Sequence, residues 1–527
     1  MDMNNDGIGD LNGIISKLDY LKELGIDYIW LNPIFPSPQA DNGYDVSNYC
    51  AIDPIFGSMK DLETLIYEAG KRNIYLMFDM VFNHSSTEHK WFKEALKQNT
   101  KYKNYYFFKK GKNGKPPTNW CSKFGGSAWK YVPEFDEYYL HLYDEKQADL
   151  NWENEEVRSE FIQILNFWIK KGIRGFRFDV INNIDKQKFE DCPQGVGKQF
   201  YCDQPRVHQY LNELNTNTFG NVDSCITVGE MSSTSVKNCI GYTNPDNHEL
   251  DMVFSFHHLK VDYVNGEKWT SMPFDFMELK QLMNTWQIEM QKENGWNALF
   301  WNCHDQPRSL SRFGDDKNYP TESAKMLATT LHMMRGTPYI YQGEEIGMTN
   351  HYFDCIDKYR DVESINAYNI LKSEGKDETH ILKVLQEKSR DNARTPMQWD
   401  SSENAGFTHG KPWISVIDNY KDINVKKTLD DKNSIFYHYK KLISLRKEYV
   451  VVQQGEYIPL LEEDDSIFAY KRVFNNEELV VLSNFYGKEC TFDIDLSNYD
   501  ILLSNYEDSS NINNILRPYE SIVLYKR

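Results

Sequence analysis

Four stretches of this sequence set ionisable side chains directly after an apolar run: Asp79-Met-Val-Phe-Asn83-His84, Arg177-Phe-Asp179, Gly229-Glu230 and Asn302-Cys303-His304-Asp305. Beside Asp79 they offer three carboxylates, Asp179, Glu230 and Asp305, with two imidazoles, His84 and His304. Cleaving a glycosidic bond needs one ionised carboxylate as nucleophile and one protonated carboxyl as general acid, about 5–5.5 Å apart when configuration is retained. On a strand, Arg177 and Asp179 share a face. The guanidinium would then hold Asp179 charged. Burial and neighbouring negative charge would push Glu230 towards protonation. Asp305 could stabilise the positive charge that develops on the sugar. Each stretch alone reads as a structural ion pair or a loop cap; four in one chain point to a site. Neither histidine has H-x-x-x-H spacing, which weakens a metal-hydrolase reading.

The elements between these stretches alternate. Ile14, Leu18, Leu21 and Leu24 mark a helical face closed by Gly25, and Ile26–Leu31 reads as a strand. Ser58 with Asp61 caps a helix bearing Leu62, Leu65, Ile66 and Ala69, and Ile74–Val81 is the next strand. A helix through Val157, Phe161, Leu165 and Trp168 feeds the strand Gly175–Val180. Further strands are expected at Cys225–Val228, Met252–Phe256, Asn297–Trp301 and Thr337–Tyr341. The pattern predicts a parallel (β/α)8 barrel, whose active sites form at the C-terminal strand ends. Seven strands are countable, so the first barrel strand is expected to be missing and the chain N-terminally truncated, leaving the flanking strands with open edges. The roughly seventy residues after Val81 are too long for a barrel loop. They read as an inserted subdomain after the third barrel strand, with Glu137–Tyr143 as a strand. A second irregular stretch, about His351 to Asp430, precedes a helix around Ser434–Arg446. Short alternating strands then follow at Ser466–Phe474, Glu478–Phe485, Thr491–Leu496, Asp500–Asn505 and Ser521–Lys526. The expected organisation is a barrel over 1–84 and 154–450, an inserted subdomain over 85–153, and a C-terminal antiparallel β domain over 451–527.

Composition narrows the partners. A net charge of -19 argues against nucleic acid and anionic membranes. No apolar run is long enough to span a bilayer and no signal peptide is visible. Aromatics at 14% suit stacking on a small oligosaccharide. Nine scattered cysteines without C-x-x-C spacing favour free thiols and a cytoplasmic location. Asp2, Asn4, Asp6 and Asp10 offer oxygens at alternate positions, with Gly7 at the sharp turn and the Ile8 carbonyl able to point inward. This is the start of an EF-hand-like loop for a structural Ca2+, although Gly13 stands where that motif has a bidentate glutamate. No organic cofactor is indicated, and a monomer is expected.

These strand ends, in this order, resemble the conserved regions of the α-amylase superfamily of glycoside hydrolases (family 13). Asp41-Asn-Gly-Tyr44-Asp45, Gln147-Ala-Asp149-Leu150-Asn151, Gly336 to Glu345 and Arg390 to Trp399 strengthen the resemblance, which is similar to the oligo-1,6-glucosidase (isomaltase-type) branch. It implies a retaining exo-α-glucosidase acting on α-1,6 bonds at non-reducing ends. Asp179 would be the nucleophile, Glu230 the acid/base and Asp305 the transition-state stabiliser. His84, Arg177 and His304 would surround the terminal glucose, Asp41 and Arg390 would pair on its far hydroxyls, and Tyr44 would stack on its ring. Phe124, Tyr143 and Gln147 would line the entrance. The resemblance also matches Asp2, Asn4, Asp6, Ile8 and Asp10 to a calcium site. Val180, after the nucleophile, is the residue that α-1,6-preferring relatives carry. Cys303 departs from the usual asparagine and could alter the hydrogen bonding that orients His304. Trehalose-6-phosphate hydrolase, dextran glucosidase and sucrose isomerase are the alternatives within the superfamily. A phosphate-reading basic cluster beside the second sugar would mark the first. A non-catalytic barrel, like the family's transporter-associated relatives, and an inactive truncated barrel are the alternatives to an enzyme.

Overall fold

The computed structural model describes residues 1–508 and 514–527. Its centre is a parallel sheet in the order Tyr28–Leu31, Tyr75–Met80, Gly175–Phe178, Ile226–Met231 and Met252–Ser255. A parallel bridge from Val253 to Asn297 continues it into the pair Ala298–Leu299 and Thr337–Pro338. Helices separate successive strands, as the right-handed crossover of a barrel requires. Among the described residues the first and last strands of this arc do not pair with each other. Trp30 and Tyr339, edge to face at 6.2 Å, bring its two ends together inside the barrel. Both also pack on Phe254.

Local signals decide where the helices begin and end. Ser58 and Asp61 form the expected capping box at the start of helix Met59–Gly70. Asn154 caps helix Glu155–Lys171, which ends at Gly172 with φ 106°. That helix buries Val157, Phe161, Leu165 and Trp168, and Phe78 meets Trp168 at 4.9 Å behind the sheet. Two readings change. The helical face from Ile14 to Leu24 breaks at Ser16–Lys17 into helices Leu11–Ile15 and Leu18–Leu24, the second closed by Gly25 at φ 102°. The strand expected through Val180 stops at Phe178, because Val180 adopts a left-handed conformation (φ 37°) that turns the chain. The other barrel strands are mostly shorter than expected, Ala298–Leu299 and Thr337–Pro338 most of all.

The inserted segment is rooted by two antiparallel strands, His84–Ser86 and Gln147–Asp149, paired His84 to Asp149 and Ser86 to Gln147. A three-stranded sheet of Phe108–Lys109, Glu137–Leu140 and Trp129–Val132 builds outward from it. The stretch after Thr337–Pro338 supplies helices Val362–Ser373 and Glu378–Lys388, which cross over the strand ends. Helix Ile435–Glu448 completes the helical layer. The C-terminal sheet runs Glu456–Leu460, Ile467–Phe474, Glu477–Asn484, Ser521–Lys526, Asp500–Ser504, all antiparallel. Its first strand was missed: it carries Pro459, which a sheet tolerates only at an edge. The strand expected at Thr491–Leu496 shrinks to a two-residue pairing, Cys490–Thr491 with Ile515–Leu516.

One buried ion pair ties the insert to the barrel. Lys186 and Asp149 are both fully buried and 2.8 Å apart, and Lys186 also donates to Asn83 at 2.6 Å. Asp149 accepts the Leu142 amide at 2.9 Å, so its carboxylate is well satisfied. Removing the cation leaves a buried carboxylate unpaired. Lys186→Met should therefore cost about 3–5 kcal/mol, read as a lower midpoint in urea unfolding.

Candidate active site

The C-terminal ends of the strands surround a cleft of about 1030 Å³. All residues expected around a sugar line it except Arg177: the acids Asp179, Glu230 and Asp305, then Asp41, Tyr44, His84, Phe124, Tyr143, Gln147, Val180, His304 and Arg390. Arg177 lies beneath its floor at 1% exposure.

Strand register explains the floor. Asp79 and Arg177 are direct partners on neighbouring strands, and Phe178 is level with Gly229, one residue before Glu230. The guanidinium therefore meets three carboxyls. Its Nη1 donates to Asp79 at 2.7 Å and to Asp179 at 2.6 Å, while Nη2 donates to Glu230. Asp179 and Glu230 are also hydrogen-bonded to each other. The Val180 amide donates to Glu230 at 3.3 Å, using the left-handed turn to reach it.

One cation among three buried acids cannot keep all of them ionised. Burial raises Asp179 to about 6, opposed by Arg177 and reinforced by the charge of Asp79. Arg177 favours the charged form of Asp179, but the guanidinium is shared and burial outweighs it, so the carboxyl ionises above its ordinary range rather than below it. Burial raises Glu230 further, to about 8, with Asp179 and Asp305 adding repulsion. The two carboxyls are pushed apart in acidity, so near neutral pH Asp179 loses its proton while Glu230 keeps one.

Asp305 has the opposite setting. Burial disfavours its charge, but Arg390 at 3.0 Å and Arg394 at 3.3 Å, with the His304 imidazole 3.2 Å away, hold its carboxyl well below the usual range. Arg390 also reaches Asp41 at 3.3 Å, the expected pair, and Asp361, from the cap of helix Val362–Ser373. Burial raises Asp41 to about 7 despite Arg390.

The two histidines are neutral. Burial lowers His84 to about 4 and His304 to about 3. The Tyr44 hydroxyl donates to Asp79 at 2.8 Å, which leaves its oxygen to accept from His304 Nε2 at 2.7 Å. Gln147 donates to Asp41 at 3.1 Å and lies 3.1 Å from His84, as the root strands of the insert dictate. Tyr143 meets Phe124 edge to face at 5.7 Å, and Phe124 carries Arg390 over its ring at 5.4 Å. Cys303 is buried and its sulfur accepts the Asp305 amide at 3.4 Å. It therefore orients Asp305 rather than His304, whose carbonyl is held by Arg394 Nε at 2.9 Å.

Sequence reasoning gave no role to Asp79, Asp361, Arg394 or Lys123. Asp79 was visible at its strand end, and Arg394 stood in the same run as Arg390. Asp361 lay in a charged stretch without a motif. Lys123, Lys260, Lys268 and His257 also line the cleft, near Ser232 and Ser233. Lys123 donates to Ser232, and Lys268 is paired with Glu363 at 2.6 Å. Burial lowers Lys260, and Lys198 beside it lowers it further.

In the Asp2–Asp10 loop all donors are oxygens, as a hard cation requires. Asp2 accepts the amides of Asn4, Asn5 and Gly7 and the Thr408 hydroxyl, and Gly7 sits at φ 96°. Asp10 accepts those of Met3, Asn4 and Gly13. The carboxylates thus hold the loop's own amides. Among the described residues, the one close gathering of three His, Cys, Asp or Glu ligand atoms is Cys303, His304 and Asp305. No helix is long and apolar enough to cross a membrane.

Residues 1–455 match the family model of the alpha-amylase catalytic domain, and residues 467–523 that of the alpha-amylase SusG C-terminal domain. Trehalose-6-phosphate hydrolase of Bacillus subtilis (strain 168) is 56% identical over 532 residues, covering 99% of this chain and 95% of that protein. Oligo-1,6-glucosidase of Bacillus cereus is 51% identical, covering 99% and 96%. The crystal structure of Bacillus licheniformis trehalose-6-phosphate hydrolase superposes with a TM-score of 0.95 at 56% identity, covering 99% of this chain and 96% of that one.

Proposed function

The chain belongs to the α-amylase family and is a glycoside hydrolase of the α-glucosidase kind, and from that premise we propose that it is a retaining exo-α-glucosidase acting on trehalose 6-phosphate. The observation that carries the phosphate is the basic wall of the cleft. Lys123, Lys260 and His257 line it, and Lys198 stands beside Lys260. A neutral disaccharide needs no such wall; a phosphate on the second ring does. The relatives named for trehalose-6-phosphate hydrolysis support the same reading. The oligo-1,6-glucosidase reading rests on Val180 and on the 51% identical relative.

In this mechanism Asp179 attacks the anomeric carbon while Glu230 protonates the departing oxygen. Glu230 then takes a proton from the water that hydrolyses the glucosyl ester. Asp305, ionised between Arg390 and Arg394, faces the developing positive charge of the sugar. Asp41 and Arg390 hold the far hydroxyls with His84 and His304, Tyr44 lies against the ring, and Phe124, Tyr143 and Gln147 close the entrance. Arg177 keeps one negative charge below the reacting pair without fixing which carboxyl bears it. The Asp2–Asp10 loop is assigned to a calcium ion held by Asp2, Asn4, Asp6, Ile8 and Asp10, in support of the fold and not of the reaction. Nine cysteines without a disulfide support a reducing, cytoplasmic setting.

Four outcomes are expected. Asp179→Asn should lower kcat/KM on 4-nitrophenyl α-glucoside at least about 10⁴-fold, the scale on which nucleophile removal acts; near-normal activity would sink the assignment. Lys260→Gln should raise KM for trehalose 6-phosphate about tenfold and leave the neutral aryl glucoside unchanged, one charge-assisted hydrogen bond being about 1.5–3 kcal/mol. Preference of the unaltered enzyme for isomaltose over trehalose 6-phosphate would favour the α-1,6 reading instead. The pH profile of kcat/KM on the uncharged aryl glucoside should be bell-shaped. It should rise near 6 as Asp179 ionises and fall near 8 as Glu230 loses its proton; both limbs belong to the coupled pair. Calcium, against chelator, should raise the thermal midpoint, and an unmoved midpoint would remove the cation.

A further inference from the structure

Asn182 is the third residue past Asp179 and is wholly buried, so it touches no substrate. Its side-chain amide is bound edge-on to one residue, Ser232: Nδ2 donates to the Ser232 carbonyl at 2.9 Å and Oδ1 accepts the Ser232 amide at 2.9 Å. This is a side chain imitating one rung of a β ladder. Nδ2 also donates to Asp203 at 3.0 Å. Asp203 is itself fixed, accepting from Asn238 at 2.8 Å and the Tyr242 hydroxyl at 2.9 Å, and its amide donates to the Asn182 carbonyl at 2.9 Å.

Ser232 lies two residues after Glu230. The clamp therefore closes a small circuit: Asp179, the left-handed Val180, Asn182, across to Ser232, and back to Glu230. The Val180 amide on Glu230 at 3.3 Å is a second rung within it. A two-residue tether from Ser232 spans at most about 7 Å, so displacing Ser232 displaces the Glu230 backbone. The outer side of Ser232 holds Lys123 at the cleft wall.

We propose that Asn182 is a positioning residue that sets Glu230 against the departing oxygen by clamping Ser232, and so controls proton donation to the leaving group. The proposal rests on the reading of Glu230 as the acid, and its consequence differs from that of a merely structural asparagine. Proton donation matters most for poor leaving groups, because an acidic phenol departs without help. A residue that only stabilises the fold lowers turnover of all substrates alike.

The test is a series of aryl α-glucosides from 4-nitrophenyl to 4-methoxyphenyl. Their kcat/KM, which reports the glucosyl-transfer step, is measured for the unaltered enzyme, Asn182→Ala, Tyr242→Phe and Glu230→Gln. Asn182→Ala is expected to lose about 10²-fold on 4-methoxyphenyl glucoside and about tenfold or less on 4-nitrophenyl glucoside, a part of the 10²–10⁴-fold that general acids contribute. Glu230→Gln should show a steeper dependence still. Tyr242→Phe, which removes one hydrogen bond from Asp203 and keeps the fold if Asn182→Ala does not, should show a shallower shift in the same sense. Equal losses across the series in both Asn182→Ala and Tyr242→Phe, beside a steepened series in Glu230→Gln, would overturn the proposal alone. An unsteepened series in Glu230→Gln would overturn the reading of Glu230 and the proposal with it.

Discussion

The site is organised by a shortage of positive charge. Arg177 is the cation that Asp79, Asp179 and Glu230 share at hydrogen-bond distance, and all of these groups are buried. Three isolated carboxylates at that depth would each carry a large desolvation cost. With one guanidinium the arrangement is stable only if protons replace the missing cations. Protonation is therefore a structural requirement of the cluster before it is a chemical convenience. The cluster then sorts its members: burial, with the charges of Asp179 and Asp305 added to it, makes Glu230 hold its proton to higher pH than Asp179. A second cation in this floor would ionise both and leave no acid for the reaction.

Asp305 shows the reverse arrangement a few residues along the rim. Arg390 and Arg394 both reach it, and Asp361 and Asp41 in turn share Arg390. Here two cations converge on one carboxyl, and Asp305 stays charged, while Asp41 at the edge of the same cluster is still raised by burial. The barrel thus presents two electrostatic environments in one cleft, one proton-rich and one proton-poor. They come from different layers: the first from side chains of the sheet itself, the second from segments laid over the strand ends. Helix Val362–Ser373 and the Arg390 run are consequently part of the site, although they lie outside the sheet.

What the sequence revealed of this follows the range of the forces involved. Caps at Ser58, Asn154 and Gly172 are local, and they were readable. The alternation of strand and helix and the acids at strand ends were readable for the same reason. Register was not: that Asp79 faces Arg177, and His84 faces Asp149, is fixed by how neighbouring strands settle against the core. So the partner of Arg177 seemed to be Asp179 alone. Asp361 escaped because its meaning depends on an arginine twenty-nine positions away in the chain. The shortened strand at Phe178 escaped because nothing in Asp179-Val180 suggests a left-handed turn, which a β-branched residue ordinarily avoids.

That turn is best understood as a consequence of the same shortage. An extended strand through Val180 would keep Asp179 on the face it shares with Arg177, aimed into the barrel core. The turn lets Asp179 keep Arg177 at 2.6 Å while opening to the cleft, and it aims the Val180 amide at Glu230. A backbone amide is a donor that adds no net charge. It satisfies part of a carboxyl that a further cation would have ionised. The strained residue is tolerated because the surrounding hydrogen bonds over-determine it. The unusual backbone of Val180 and the unusual acidity of Glu230 are therefore two aspects of one constraint, the need to solvate a buried acid without charging it.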